Sequence, residues 1–288
     1  MRGADALEPL VERLAEEARG TVMFVGASDT GKTTLARAIY EKLESRGRRV
    51  AYLDCDVGQS TVGPPATIGV RLADGGNRRR RSLFFVGNIS PRGHFLPMVV
   101  GAHKLRSLGV QLGCSTILVD TTGMVDPRRG GTALKLWKVE LLQPDRIVAL
   151  QREGELEELL SCLRYRYGGS MEVLPVPEQA RLRGRGERYL RRQRLWRRHF
   201  DGAPEVIFPL SRWDVWDSHL LRRNRLLGFD GHRGLCLGLG VVLSCGEGQL
   251  RVKTPCRSLD RVCRVRVSGL SLDPDTGQEL VQPPERPL

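Results

Sequence analysis

The segment Gly26-Ala27-Ser28-Asp29-Thr30-Gly31-Lys32-Thr33-Thr34 lies between a short apolar run at 22–25 and a helix-like run at 35–40. It matches the pattern G-x-x-x-x-G-K-[ST] at every fixed position, in the strand–loop–helix context that the pattern requires. Gly26 and Gly31 allow the backbone to curl so that successive N–H groups point at phosphate oxygens, and the new helix adds its positive end. A chance glycine-rich turn is the alternative, and the flanking strand and helix argue against it.

The chemistry of this loop predicts that the chain binds a nucleoside triphosphate. We expect residues 26–34 to surround the phosphates and Lys32 to reach the β- and γ-phosphates. Thr33 would offer its hydroxyl to Mg²⁺.

The composition favours a polyanionic partner. The chain has 288 residues, of which 40% are hydrophobic, and a formal net charge of +13. This length and apolar content suffice for one large domain, or for a domain with a smaller appendage. The excess of arginine favours nucleic acid as a partner first and a membrane surface second. A merely solvated arginine-rich surface is the alternative.

The cysteine pattern and the lengths of the apolar runs indicate whether the protein is intracellular, secreted or membrane-bound. Seven cysteines are scattered along the chain without a C-x-x-C pair, and no histidine pair accompanies the last four. Reduced, mostly buried thiols fit this pattern better than a zinc site or disulfides. No apolar run reaches the length of a membrane span, and the N-terminus lacks the apolar region of a signal peptide. We therefore expect a soluble cytoplasmic protein with no membrane partner.

Strand-like and helix-like segments alternate from the N-terminus to about residue 175. Strands are predicted at 22–25, 50–53, 66–72, 82–86, 115–120, 146–150 and 173–174, and helices at 4–19, 35–46, 97–112, 132–142 and 156–163. Such alternation predicts an α/β fold with a doubly wound, mainly parallel sheet, of the phosphate-loop NTPase class.

The remaining segments complete the predicted domain organisation. Short strand-like runs separated by Gly, Asp and Pro dominate the chain beyond residue 203. We therefore expect an N-terminal helix at 1–20, a nucleotide-binding domain at 21–203 and a small β-rich domain at 204–285. A basic stretch at 77–81 is expected to be a solvated hairpin tip.

Acidic residues follow two of the predicted strands. Asp54 and Asp56 come after the strand at 50–53, and Asp120 ends the strand at 115–120. Ligands in open α/β sheets bind at the carboxyl ends of the strands, so these acids should face the phosphate loop. A carboxylate there can bind Mg²⁺, directly or through water, or accept a proton from an attacking hydroxyl. An aspartate that only caps a turn is the alternative.

Residues 181–198 contain nine arginines and a single acid, Glu187. The planar fork of arginine pairs phosphate oxygens two at a time, so this segment fits a lid over phosphates or a polyanion-binding helix. A basic solvated helix is the simpler alternative.

Taken in order, these pieces resemble the polynucleotide 5′-hydroxyl kinases, a phosphate-loop family that includes the RNA 5′-kinases of pre-mRNA 3′-end and ribosomal RNA processing. The segments that carry the resemblance are the Walker A loop at 26–34, the Walker B variant Asp54-Cys55-Asp56-Val57-Gly58-Gln59, the strand-end turn at 85–94, the clasp Thr121-Thr122-Gly123, and the lid arginines Arg183 and Arg188. The resemblance runs from about residue 20 to residue 200, and the β-rich tail also fits. It implies ATP and Mg²⁺ as ligands, an Arg-rich helical lid at 178–200, and single-stranded RNA 5′ ends as the favoured acceptor, with DNA as a further candidate.

The resemblance also implies catalytic roles. Lys32 and Thr33 would hold the triphosphate and Mg²⁺. Asp56 would activate the RNA 5′-hydroxyl or order the metal's water. Arg183 and Arg188 would close on the transferring phosphoryl group, whose negative charge grows in the transition state.

On the acceptor side, the resemblance implies that the terminal nucleotide is seated by Gln59, Ser90, Thr122, Gly123 and Met124. Many relatives have tryptophan in place of Met124, and base–aromatic stacking is worth roughly 1–3 kcal/mol. The choice between RNA and DNA is therefore left open. Some relatives have asparagine in place of Asp120, whose charge strengthens a metal site, so we place Asp120 with Thr33 and Asp56 around Mg²⁺.

Three functions stay open on the sequence alone. The leading hypothesis is an ATP-dependent kinase that phosphorylates RNA 5′-hydroxyl ends. The second is a phosphate-loop ATPase that acts as a nucleotide-binding switch or assembly factor in an RNA-processing complex, with GTP disfavoured because no N-K-x-D stretch occurs. The third is a basic RNA-binding module with a vestigial nucleotide site, and the intact Lys32, Thr33 and Asp56 argue against it.

Overall fold

The structure is a computed structural model that describes residues 8–76, 79–178, 180–257 and 259–280. The helices are α1 (Glu8–Glu17), α2 (Lys32–Ser45), α3 (Phe95–Gln111), α4 (Gly131–Leu142), α5 (Glu157–Tyr167) and α6 (Arg185–Phe200). The strands are β1 (Gly20–Gly26), β2 (Arg49–Asp54), β3 (Thr67–Asp74), β4 (Arg79–Phe85), β5 (Thr116–Asp120), β6 (Arg146–Gln151), β7 (Met171–Pro175), β8 (Glu205–Pro209), β9 (Asp214–Trp216), β10 (Arg225–Gly231), β11 (Cys236–Gly246), β12 (Gln249–Lys253), β13 (Val262–Leu272) and β14 (Glu279–Leu280).

Parallel strands form the centre of the sheet in the order β2-β5-β1-β6-β7. β5 is buried at every position, as expected for a parallel strand that is covered on both faces. The strand that leads into the phosphate loop, β1, lies between β5 and β6, so the loop leaves the sheet near its centre. This arrangement places the carboxyl ends of β1, β2 and β5 at one edge of the sheet.

Helices cover both faces of the parallel strands. α1 and α2 share a buried cluster with Phe24 of β1, in which Leu14 and Ile39 take part. α3, α4 and α5 share a second cluster with the neighbouring Met23, in which Met98 and Leu134 take part. Successive residues of a strand point to opposite faces, so this division confirms the predicted doubly wound α/β fold. Residues 4–7 of the predicted first helix lie outside the described residues.

Beside β2, the strands β3 and β4 form an antiparallel hairpin. Residues 79–81 are exposed, as expected for the solvated stretch at 77–81, but they belong to β4 and not to the hairpin tip. Arg79 pairs with Ala73 and Arg81 with Arg71 in the strand register, and Arg79 also binds Glu44 with its Nε at 2.7 Å. Residues 77 and 78 lie outside the described part of the chain.

The strands after α6 are mostly antiparallel. β10 lies between β11 and β13, β12 pairs with β11 and β8, and β14 pairs with β13. This region joins the central sheet where Cys236 of β11 pairs with Leu83 of β4. β9 and β14 are too short to give an alternating pattern, so the sequence analysis missed both. The domain division near residue 203 stays a prediction, and residues 281–285 of its last part lie outside the described residues.

The second half of α6 is fixed to this junction. Trp196 and Phe200 are fully buried in a cluster that includes Phe85 of β4 and Leu239 of β11. Glu279 of β14 accepts hydrogen bonds from the guanidinium of Arg192 and from the indole N–H of Trp196. The helix is therefore anchored at its C-terminal half, and its N-terminal half reaches the cleft that is described below.

Two expectations about compartment can be compared with the structure. No helix within the described residues is both long and apolar enough to cross a membrane. All seven cysteines are free, but only Cys55 and Cys236 are buried, and Cys162 and Cys245 are exposed. The expectation of mostly buried thiols is therefore wrong, because five of the seven cysteines lie at positions that are at least partly open to solvent.

Candidate active site

A cleft of about 800 Å³ opens at the carboxyl ends of β1, β2 and β5. The predicted catalytic residues that line it are Lys32, Asp56, Arg183 and Arg188, and the predicted acceptor-side residues that line it are Gln59, Ser90, Thr122, Gly123 and Met124. From the phosphate loop, the lining residues include Ser28, Asp29, Thr30, Gly31, Thr33 and Thr34. The predicted site residues Gly26, Ala27 and Asp120 are not among the residues that line the cleft. The structure therefore brings together in one cleft residues that are up to 160 positions apart in the chain.

The phosphate loop has the geometry that its glycines predict. Gly31 is the N-cap of α2 with a φ of 91°, in the left-handed region that glycine adopts without strain. The first helical hydrogen bond runs from the N–H of Leu35 to the carbonyl of Gly31 at 2.9 Å. The N–H groups of residues 32–34 are therefore free of helical partners, and those residues line the cleft. A helix end of this kind is a binding site for an anion.

Lys32 lies inside this loop and is only 5% exposed. Its Nζ donates to the carbonyl of Ala27 at 2.5 Å and to the hydroxyl of Thr30 at 3.3 Å. Burial lowers the pKa of Lys32, while the charges of Asp120 and Asp56 act in the opposite direction. An anion in the loop would further favour the protonated lysine.

The two acids after β2 have different surroundings. Asp54 is buried, and its Oδ2 accepts hydrogen bonds from the N–H groups of Thr61 and Val62 at 2.5 and 3.1 Å. Its Oδ1 accepts from the N–H of Asp56 at 2.9 Å. Asp54 therefore fixes the loop and does not face the cleft. Asp56 lines the cleft, and its Oδ1 accepts from the N–H groups of Gly58 and Gln59, both at 2.9 Å.

Asp120 lies directly behind Thr33. Its Oδ2 accepts from the Thr33 hydroxyl at 2.7 Å and from the Tyr52 hydroxyl at 2.9 Å. Its Oδ1 is buried and has no hydrogen-bond partner among the described residues. Burial, together with the charge of Asp54, raises the pKa of Asp120 to about 7. A buried carboxylate with one unpaired oxygen beside a phosphate loop is suited to a cation.

The two lid arginines contact the phosphate loop through Asp29. The Nε and Nη2 of Arg183 lie 2.8 and 2.7 Å from Oδ1 of Asp29, and Nη2 of Arg188 lies 2.9 Å from Oδ2. The backbone N–H of Arg183 also donates to Oδ2 at 3.0 Å. Burial raises the pKa of Asp29, but the hydrogen bonds from Arg183 and Arg188 outweigh it, and the pKa is lowered overall. Asp29 was expected only as part of the nucleotide site, and its contact with the lid is new.

The arginines of 181–198 divide into two sets. Those bonded to other protein groups are Arg181, Arg183, Arg188, Arg191 and Arg192. Those without a hydrogen bond or ion pair to any described residue are Arg185, Arg194, Arg197 and Arg198, and all four are exposed. One segment therefore combines a protein-bound lid face with a solvated face. Residue 179 of the predicted lid lies outside the described residues.

The acceptor side of the cleft is built from three turns. Arg191 of α6 donates to Gln59, whose side-chain amide in turn donates to the backbone of the lid. Ser90 lies in the turn after β4, where its N–H donates to Asn88 at 3.0 Å. Met124 is half-buried and packs against the core, so less of its side chain is available to a base than its position suggests.

The clasp passes very close to the phosphate loop at Gly123. A Cβ atom at this position would lie 2.6 Å from the backbone nitrogen of Ser28 and 2.5 Å from its Cα. No side chain can occupy that space without moving the loop. On the opposite side, the carbonyl and hydroxyl of Thr122 accept from Nζ of the fully buried Lys135 at 2.5 and 3.1 Å.

Lys135 and Tyr52 are site residues that the sequence analysis missed. Lys135 and Lys138 share the spacing of Val139 and Leu142, which places two lysines on the apolar face of a predicted helix. That pattern could have drawn attention to Lys135, whose Nζ reaches the clasp. Tyr52 lies in an apolar strand and carries no comparable pattern.

The cleft thus joins a phosphate loop, strand-end carboxylates and two arginines. Cationic groups that surround a phosphate site stabilise the charge of a transferring phosphoryl group, and a carboxylate can accept the proton of an attacking hydroxyl. This combination is suited to phosphoryl transfer.

Comparison with known proteins gives matches over most of the chain. The family model described as mRNA cleavage and polyadenylation factor CLP1 P-loop matches residues 26–202. A polyribonucleotide 5′-hydroxyl-kinase of Pyrococcus furiosus is 31% identical, over 90% of this chain and 89% of that protein. A protein of the same name from Pyrococcus abyssi is 30% identical, over 94% of this chain and 92% of that protein.

A more distant relative and a solved structure extend the comparison. A protein CLP1 homolog of Anopheles gambiae is 29% identical over 72% of this chain and 52% of its own length. The solved structure of wild-type Clp1p in complex with Pcf11p has a TM-score of 0.71 at 13% identity, over 92% of this chain and 78% of that chain. At this identity the structural match concerns the fold alone.

Proposed function

This chain belongs to the CLP1 P-loop family, and on that premise we propose that it transfers the γ-phosphate of ATP to the 5′-hydroxyl end of RNA. The single observation that carries the proposal is the meeting of Lys32, Asp56 and the two lid arginines in one cleft. A relative that is 31% identical over nearly its whole length is named for this activity.

The phosphate loop would bind the donor. The N–H groups at the start of α2 and the Nζ of Lys32 supply positive partners for the β- and γ-phosphates. To reach them, Nζ would exchange its hydrogen bond to the carbonyl of Ala27 for one to a phosphate oxygen. The exchange is favourable because a charge-assisted hydrogen bond is stronger than one to a neutral carbonyl.

The residues near Thr33 fit a Mg²⁺ ion. The unpaired Oδ1 of Asp120 and the Thr33 hydroxyl lie together, and Asp56 lines the same cleft. The described residues contain no group of three or more His, Cys, Asp or Glu that could hold a metal by themselves. This agrees with a Mg²⁺ that keeps water and phosphate oxygens as ligands beside one or two protein groups. When bound, the ion would neutralise charge that develops on the phosphates.

Asp56 would act as the base toward the acceptor. Two backbone N–H groups bind its Oδ1 and fix the carboxylate at the edge of the cleft. The proton of the RNA 5′-hydroxyl would pass to this carboxylate while the 5′-oxygen forms a bond to the γ-phosphorus. The bond between the γ-phosphorus and the bridging oxygen would break, which leaves ADP and a 5′-phosphorylated RNA.

Arg183 and Arg188 would stabilise the transferring group. Both now pair with Asp29, so their guanidinium groups already lie beside the phosphate loop. A triphosphate would take over these guanidinium groups from that carboxylate and hold the lid over the cleft. A closed lid also excludes water, which would otherwise accept the phosphoryl group.

A nucleotide-binding switch or assembly factor is the second candidate. The observation that favours it is the same ion pair, because a lid that senses nucleotide through Asp29 is useful to a switch as well. A relative of this fold has been solved in complex with a protein partner, Pcf11p. The switch predicts ATP hydrolysis or binding without transfer to RNA.

The test is transfer of labelled γ-phosphate from ATP to a short 5′-hydroxyl RNA. A 5′-phosphorylated RNA of the same sequence and a matching 5′-hydroxyl DNA are the controls, and the DNA reports the sugar preference. We expect label on the 5′-hydroxyl RNA, and loss of at least about 100-fold in the Lys32→Ala and Asp56→Asn proteins. ATP hydrolysis without label on RNA would favour the switch instead.

A further inference from the structure

The lid helix contacts the acceptor side of the cleft as well as the phosphate loop. The Nη1 of Arg191 donates to the backbone carbonyl of Gln59 at 2.8 Å and to its side-chain Oε1 at 3.0 Å. The Nη2 of the same guanidinium lies 3.4 Å from the carbonyl of Ser60. One arginine therefore holds both the backbone and the side chain of Gln59.

The side-chain amide of Gln59 donates hydrogen bonds to the lid helix and to its own loop. Its Nε2 donates to the backbone carbonyl of Arg188 at 3.2 Å and to that of Gly58 at 2.9 Å. Both N–H bonds of the amide are thus used within the protein while the lid has this position. Four hydrogen bonds link residues 188–191 of α6 with residues 59–60.

Gln59, which Arg191 holds, is itself hydrogen-bonded to the Asp56 carboxylate. The N–H of Gln59 donates to Oδ1 of Asp56, and the carbonyl of the same residue accepts from Arg191. A shift of the lid helix would therefore move the peptide groups that orient the carboxylate. The contact of the lid with the phosphate loop uses other side chains, because it runs from the guanidinium groups of Arg183 and Arg188 to Asp29.

We infer that Arg191 is a positioning residue that holds Gln59, and through it the Asp56 carboxylate, in the orientation that accepts the 5′-hydroxyl proton. The inference rests on the proposed kinase function. The lid helix must then lie over the cleft for the acceptor site to be competent, in addition to the contacts that its arginines make with the phosphates. Arg191 also borders the cleft, but the hydrogen bonds of its Nη1 and Nη2 go to the loop at 59–60, so its role is to position that loop.

The burial of Arg191 supports this assignment. The side chain is half-buried, and burial lowers the pKa of the guanidinium, as expected for a group that has given up water for protein carbonyls. Exposed arginines of the same helix lack such contacts. Arg194, three positions further along α6, is exposed and bonds to no described residue, so it is a matched control for loss of one charge.

The experiment compares Arg191→Met, Arg191→Lys and the control Arg194→Met in the full chain. The rate of transfer to 5′-hydroxyl RNA and the KM for ATP are measured, with thermal unfolding to confirm that each protein is folded. We expect Arg191→Met to lower kcat by at least about tenfold, since small misplacement of a catalytic group has effects of this order. Its KM for ATP should stay within about threefold of the wild type, and Arg194→Met should match the wild type in both.

Arg191→Lys and a double variant test whether Arg191 acts through Gln59. Arg191→Lys keeps the charge and can donate to one oxygen of Gln59, so it should recover part of the lost kcat. The double variant Gln59→Ala/Arg191→Met should be no worse than the more impaired single variant, because residues that act as a unit are not additive.

Three results would overturn the inference. They are an Arg191→Met protein that equals Arg194→Met, an equal loss in ATP affinity and in transfer, or losses that multiply in the double variant. Failure of the kinase proposal itself is distinguishable, because the wild-type protein would then transfer no label to RNA.

Discussion

The guanidinium of Arg188 lies 2.9 Å from the Asp29 carboxylate, whose side chain is only 3% exposed. Arg183 binds the other oxygen of the same carboxylate at 2.7 Å. Because Asp29 belongs to the phosphate loop, ion pairs between its buried carboxylate and two partly exposed arginines join the lid to the donor site. A triphosphate in the loop brings charges that compete with Asp29 for the same arginines. Nucleotide binding and lid position should therefore be linked through Asp29.

The substitution Asp29→Asn tests this link. The amide has the size of the carboxylate but forms no ion pair, so the lid should open more often when no nucleotide is present. We expect faster amide hydrogen exchange in residues 180–190 of the free protein, measured by mass spectrometry. ATP should restore part of the protection, because its phosphates replace the missing charge.

The control for this experiment is Asp260→Asn, which removes an ion pair to Arg212 at a site where Asp260 is 94% exposed. Exposed pairs contribute little to stability, so exchange in the lid should be unchanged. Wild-type exchange rates in the Asp29→Asn lid would contradict the link.

The close approach of Gly123 to Ser28 predicts a second outcome. In Gly123→Ala the new methyl group would lie within 2.6 Å of backbone atoms of Ser28, so the phosphate loop must shift. We expect ATP affinity, measured by calorimetric titration, to fall by at least about tenfold because the N–H groups no longer point at the phosphates.

Gly168→Ala is the matched control. Gly168 has helical dihedral angles and open space around its Cβ position, so alanine there should raise stability by roughly 0.5–1 kcal/mol. Its ATP affinity should equal that of the wild type. If Gly123→Ala bound ATP as tightly as this control does, the clasp would not constrain the loop.

The sheet and the donor side of the site were predictable from the sequence because their determinants are local. The run at 22–25, the glycines of the loop and the helix-like residues after it are adjacent in the chain, and the alternation of strands with helices specifies a parallel sheet. The position of Asp56 at a strand end follows from the same rule. These features can be predicted without knowing which distant side chains are in contact.

Contacts between distant segments were not predictable in the same way. Asp29 and Arg183 are 154 positions apart, and Tyr52 and Asp120 are 68 apart. The sequence shows that the partners of each pair are charged or polar, but it does not show that they are in contact. The same holds for Arg191, which the sequence presents as one of nine similar arginines, and whose role depends on the face of α6 that meets the loop after β2.

Lys135 gives a third prediction. Its Nζ bonds the carbonyl and hydroxyl of Thr122 in the clasp, and burial is the main cause that lowers its pKa well below the ordinary value. In Lys135→Met the side chain stays unbranched and is one atom shorter, and it has no hydrogen-bond donor, so the clasp should lose its support while the protein keeps or gains stability. We expect kcat/KM for RNA to fall about tenfold with no decrease in Tm.

Lys138→Met is the control for Lys135→Met. Lys138 is equally buried in α4 but lies near the Cys55 thiol, and within the described residues no hydrogen bond joins its Nζ to the clasp. It should resemble Lys135→Met in stability and the wild type in activity. Equal loss of activity in the two proteins would show that buried charge matters here, and not support of the clasp.

His199 gives a prediction about pH. Its Nε2 is buried without a partner among the described residues, and the ring meets the edge of Phe200 at 4.8 Å. Burial, with a smaller contribution from Arg81, lowers the pKa of His199 from 6.5 to about 4. The folded protein therefore keeps this histidine neutral at a pH where the unfolded chain binds a proton. The contribution of His199 to the free energy of unfolding is at its maximum above pH 6.5, decreases as the pH is lowered toward 4, and is constant below pH 4.

The expected size of the His199 effect is about 3 kcal/mol between those two limits. It must be measured as a difference, because Asp120 acts in the opposite direction. The pKa of Asp120 is raised from 3.8 to about 7, so its contribution to stability is largest in acid and is lost as the pH rises through that range.

Urea unfolding of the wild type and His199→Leu across this range isolates the histidine. The free energy of unfolding of the wild type relative to His199→Leu should decrease as the pH falls, whereas relative to Asp120→Asn it should increase. A gap between wild type and His199→Leu that is the same at every pH would mean that the histidine is protonated in the folded protein as readily as in the unfolded chain.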